Sequence, residues 1–85
     1  MRRLGIIAII VKYGNEEAPI QVQKLLSSYS RIIIGRMGIP DPDSGYNTIS
    51  LIVKGSLEDI SALSGKLGKL ENVSVKSALT SVEIN

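Results

Sequence analysis

The sequence predicts an α+β fold of order β-α-β-β-α-β, a ferredoxin-like plait in which a four-stranded antiparallel sheet carries two helices on one face. Three observations predict it. Apolar residues recur with a helical period in two segments only. Four other segments are short, β-branched and bounded by turn formers. The middle two of those flank a cluster of turn residues, which makes them a hairpin. With 85 residues the chain supports one domain, 1–85, and no second core.

Leu4–Lys12 is the first strand, too short for a typical helix and ended by Tyr13-Gly14-Asn15. From Ala18 the period changes: Ala18, Val22, Leu25, Leu26 and Tyr29 share one helical face. Pro19 fits only a first turn, so this helix begins between Asn15 and Ala18, with Glu16 and Glu17 near its positive end. Arg31–Ile39 reads as the second strand, interrupted by Gly35 and Gly38 and stopped by Pro40. Asp41-Pro42-Asp43-Ser44-Gly45 is the hairpin turn, and Tyr46–Lys54 the third strand, with Ile49, Leu51 and Val53 on one face. Ser56, with Asp59 three residues later, caps a second helix carrying Ile60, Leu63, Leu67 and Leu70 in a stripe. Gly68 suits a left-handed residue at its end, and Lys66 and Lys69 suit its negative pole. Val73, Val75 and Leu79 then alternate as a fourth strand, and Val82 and Ile84 resume in the opposite phase, which places a bulge near Thr80.

Composition excludes much of enzymology. The chain has no histidine and no cysteine, so neither imidazole nor thiolate is available as metal ligand, nucleophile or base. Hence we expect no catalytic residues, no cofactor and no tightly held transition metal. Asp41 and Asp43 begin like a calcium loop, but a full site needs about six to eight oxygens, and a hairpin turn explains them better. A formal charge of +2, scattered rather than clustered, gives no nucleic-acid footprint. The three tyrosines, Tyr13, Tyr29 and Tyr46, do not pair on one strand face as base-stacking would require. Met1-Arg2-Arg3 and the apolar run behind them lack a small-residue cleavage site, and no stretch approaches the ~20 apolar residues of a membrane span. The expectation is a soluble, cytoplasmic protein.

Two features point to partners. Leu4, Ile6, Ala8 and Ile10 occupy one phase of the first strand and Ile7, Ile9 and Val11 the other, so both faces of a central strand are apolar. We therefore expect a homo-oligomer, dimer or tetramer, with the second face buried against another subunit. Gly35 and Gly38, flanking Arg36 and Met37, mark a place where a backbone or a ligand comes close. Both a subunit contact and a small-molecule site fit that feature.

Ile32-Ile33-Ile34-Gly35-Arg36-Met37-Gly38-Ile39-Pro40, Ile49-Ser50-Leu51-Ile52-Val53-Lys54-Gly55, Asp59-Ile60-Ser61-Ala62-Leu63-Ser64-Gly65-Lys66-Leu67-Gly68 and Val73-Ser74-Val75-Lys76-Ser77-Ala78 resemble the family of iron-only hydrogenase system regulators, over almost the whole chain. That family is similar in turn to the ACT-like C-terminal domain of the nickel-responsive regulator NikR, a tetramer that binds metal between subunits. The NikR ligands are histidines and a cysteine; this chain has neither, and counting back from Gly55 puts Asn47 at the cysteine position. The NikR DNA-binding module has no counterpart in this sequence. The resemblance implies a small ACT-like regulatory domain, with an effector near Gly35–Gly38 at a subunit boundary, Arg36 facing its carboxylate and Asn47 hydrogen-bonding to it. An effector-free interaction or assembly module is the alternative.

Overall fold

In a computed structural model, which describes residues 1–85 except Tyr13 and Asn15, the predicted order is present. Strand β1 (Arg2–Lys12) leads to helix α1 (Glu17–Ser28), a single 3-10 turn (Ser30–Ile32) and strand β2 (Ile33–Asp41). Strand β3 (Tyr46–Gly55), helix α2 (Leu57–Gly68) and strand β4 (Val73–Ile84) complete it. The strands lie in the order β2-β3-β1-β4, every neighbouring pair antiparallel. This is the ferredoxin-like plait.

Strand alternation sends Ile7, Ile9 and Val11 of β1 and Leu51 and Val53 of β3 to the helix side, where all are buried. Ala18, Val22 and Leu26 of α1 and Ile60, Leu63 and Leu67 of α2 close over them, as their spacing requires. Ser56 caps α2, its hydroxyl accepting the Asp59 N–H at 3.0 Å. Lys66 ties the two helices together from outside, its ammonium 5.1 Å from the centre of the Tyr29 ring.

Asp41–Tyr46 is a closed hairpin. The Gly45 N–H donates to the Asp41 carbonyl at 3.1 Å, and the Ser44 hydroxyl both donates to that carbonyl and accepts from the Tyr46 N–H. Gly45 has φ +83°, which a glycine adopts without strain. The turn expected over Tyr13 to Asn15 lies, at those two residues, outside the described part of the chain.

Several boundaries differ from the sequence expectation. Ile32 belongs to the 3-10 turn, where it is buried, and not to β2. Pro40 does not stop β2, which runs on to Asp41: β2 is an edge strand, and a missing N–H is tolerated there. Gly68 is the last helical residue of α2, and the left-handed residue is Asn72, with φ 64°. A Cβ on Gly68 would stand 3.2 Å from Val75 Cγ1, so its smallness serves the packing of α2 on β4. The bulge expected near Thr80 is there: β1 steps from Gly5 to Arg3 while β4 steps from Leu79 to Glu83. A second bulge, unforeseen, falls at Ile34 of β2.

Candidate functional site

The bulge at Ile34 sets the faces of β2. Gly35 then pairs with Ile52, Arg36 with Leu51, Met37 with Ser50, Gly38 with Ile49 and Pro40 with Asn47. Because paired residues share a face and Leu51 is buried under the helices, Arg36, Gly38 and Asn47 lie on the helix side. Gly35 and Met37 lie on the opposite, uncovered face. The structure thus divides the five residues singled out in the sequence between two sites.

On the helix side, Arg36 and Asn47 line one cleft with Val11, Pro19, Val22, Gln23 and Ile49, of about 180 Å³. It continues past Gly38 and Pro40 toward the edge of the sheet. Helix α1 supplies Pro19, Val22 and Gln23 as one wall, and the sheet supplies the floor. The Arg36 guanidinium reaches across to α1 and donates to Gln23 Oε1 at 3.0 Å. No carboxylate among the described residues pairs with Arg36. Asn47, between Pro40 on β2 and Val11 on β1, has its Oδ1 buried with no hydrogen-bond partner. A buried acceptor left unpaired costs about 1–3 kcal/mol, so nothing in the fold of the protomer accounts for an amide at this position.

Gly38 explains why the cleft is open. A Cβ there would meet only Ile49 Cγ1, at 3.8 Å, and Gly38 has no positive φ. The same holds for Gly35, whose Cβ would lie 3.8 Å from Ile52 Cγ1. Neither glycine is needed by the protomer's own backbone or packing. The close approaches are at Gly55, where a Cβ would stand 2.8 Å from Ile32 Cγ2, and at Gly5, where it would run into the Leu79 side chain. Gln23 was missed by sequence reading; its signal was its place beside Val22, on the polar flank of the apolar stripe of α1.

The uncovered face is the second site. Leu4, Ile6 and Ile52 are 40%, 46% and 39% exposed on it, and Met37, Ile39 and Val82 are more than half exposed. Leu4, Ile6, Ile52, Ala78 and Val82 border a largely apolar hollow of about 440 Å³ beside the β4 bulge. Among the described residues no group of three or more acidic side chains converges, and no helix is long and apolar enough to cross a membrane.

No curated protein matches the chain. Among solved structures, the uncharacterized protein TM1266 from Thermotoga maritima superposes with a TM-score of 0.89 at 37% identity, over 93% of this chain and 98% of that one. An unknown protein from Galdieria sulphuraria gives a TM-score of 0.61 at 10% identity; it shares the fold, and this chain spans 48% of its length. The TM1266-like family, described as "Iron-only hydrogenase system regulator, putative", matches residues 3–77. With that match over most of its length and the same plait as TM1266, the chain belongs to the TM1266-like family of iron-only hydrogenase system regulators.

Proposed function

We propose that the protein is a small ACT-like regulatory domain of the iron-only hydrogenase system that works as a homo-oligomer and takes a small effector in the cleft between α1 and the β2–β3 edge. The carrying observation is the uncovered face of the sheet. Leu4 and Ile6 lie on a central strand, beside Ile52 of its neighbour, with no helix over them. Large contiguous apolar patches mark association surfaces, and burial against a second copy removes this one from water. Regulation rather than catalysis fits a chain without histidine or cysteine. The cleft supports the effector half of the reading, because it sets the Arg36 guanidinium, held by Gln23, beside the unpaired Asn47 Oδ1.

Light scattering coupled to size exclusion tests the assembly. A dimer or tetramer is expected at micromolar concentration, and Ile6→Lys, which puts a charge in the middle of the uncovered face, should return the protein to monomers with unchanged far-UV circular dichroism. A wild-type monomer would overturn the reading. An effector-free assembly module would pass this test too, and the two part at the cleft.

A further inference from the structure

The uncovered face has a relief as well as an apolar character, and the relief selects how a second copy sits on it, given the assembly reading above, on which this inference rests. Strand register sets four side chains in each row across the face. From β2 to β4, one row is Met37, Ser50, Ala8 and Lys76, and the next is Gly35, Ile52, Ile6 and Ala78. The first row is large at both edges and small in the middle; the second is small at both edges and large in the middle. Each is the mould of the other. The protomer itself does not require this pattern: Gly35 has no positive φ, and a Cβ on it would meet only Ile52, at 3.8 Å or more. Met37, beside it, stands 62% exposed.

We infer that two copies stack through this face about a two-fold axis running across the strands, midway between the two rows. Rotation about that axis lays each row on the other row of the partner, β2 over β2 and β4 over β4. Met37 fills the space at the partner's Gly35, Ile52 sits on the partner's Ser50, and Ile6 sits on the partner's Ala8. The Lys76 stem covers the partner's Ala78, and because β4 is an edge strand the ammonium stays in water. The result is a sandwich of two nearly aligned sheets about 10 Å apart. An axis along the strands would instead set Ile52 on the partner's Ile6, Ser50 on the partner's Ala8 and Gly35 on the partner's Ala78. Large would then meet large and small would meet small, leaving voids that close packing disfavours. Counting one further row on either side, four strands ~4.8 Å apart and four rows ~6.8 Å apart give each copy a flat footprint of roughly 500 Å². A pair therefore buries on the order of 1,000 Å² or more, which a stable interface needs.

Two measurements test the stacking. The chain has no cysteine, so Asp43→Cys in the exposed hairpin turn carries a single nitroxide label. The axis across the strands sends the two turns to opposite ends of the sandwich, about 40 Å apart, whereas the axis along the strands keeps them within about 25 Å. Double electron–electron resonance should show the long distance, and its absence from an oligomer would overturn the stacking. In a dilution series followed by light scattering, Gly35→Met should raise the dissociation constant at least about tenfold, because the new side chain collides with the partner's Met37. Adding Met37→Ala should recover most of that loss, with unchanged far-UV circular dichroism throughout. A Gly35→Met variant that dissociates no more readily than wild type, or a double variant no tighter than Gly35→Met alone, would overturn the stacking and leave assembly standing. A wild-type monomer would overturn the assembly reading itself and leave the face to a partner of another kind.

Discussion

At Gly55 the side chain of Ile32 already occupies the space a methyl would need, 2.8 Å from an ideal Cβ, whereas at Gly38 the nearest atom is 3.8 Å away. Gly55→Ala should therefore cost about 1–3 kcal/mol of protomer stability by overpacking, and Gly38→Ala should stay within about 0.5 kcal/mol. Chemical denaturation of both variants checks the contrast, and equal losses would refute it. Residue types alone marked Gly38 and Arg36 as unusual, and both do line the cleft. They could not mark Gly55 or Gly5, because a glycine's need for smallness comes from what the tertiary fold sets opposite it. Asn47 was legible as a position in the strand. Its unpaired oxygen was not, since that depends on Val11 and Pro40 arriving from two other strands.

Elements were legible where local chemistry is self-sufficient. The apolar period of α1 and α2 and the Ser56 cap are properties of a few consecutive residues, and the structure agrees with them. Ser56→Ala removes the acceptor for the Asp59 N–H and should destabilise the protein by about 0.5–2 kcal/mol, with Ser56→Asp restoring most of the loss. Thermal unfolding followed by circular dichroism measures both, and an unchanged Ser56→Ala midpoint would show that the cap is replaced by water at no cost. Strand β2 was less legible. Its bulge at Ile34 inverts which residues face the helices, and alternation counted from Ile32 cannot reveal an extra residue that only pairing with β3 defines. Pro40 misled for a related reason: its tolerance depends on β2 being an edge, which is a property of the sheet.

For the whole molecule, the strand order and the one-sided placement of the helices follow from the sequence of elements, since short connections and a split pair of βαβ units leave few alternatives. The apolar open face was also legible, because β1 is apolar in both phases wherever its register falls. The same strand has a further property: Arg2 pairs with Ile84, and the Arg2 guanidinium donates to the carbonyl of Asn85, so the start of β1 and the end of β4 are laced side by side. Within residues 1–85 the start of β1 and the end of β4 are sheet neighbours, so this stretch is nearly a closed ring with one gap between these strand ends. A short glycine linker can span that gap, and the ring can then be opened at Asp43–Ser44, in the exposed hairpin turn far along the chain from either end. Such a circular permutant should show the wild-type circular dichroism spectrum and the wild-type oligomeric mass, because neither the core nor the open face contains the new ends. A permutant that failed to fold would mean that the β2–β3 turn must be covalently intact for the edge strand to find its register.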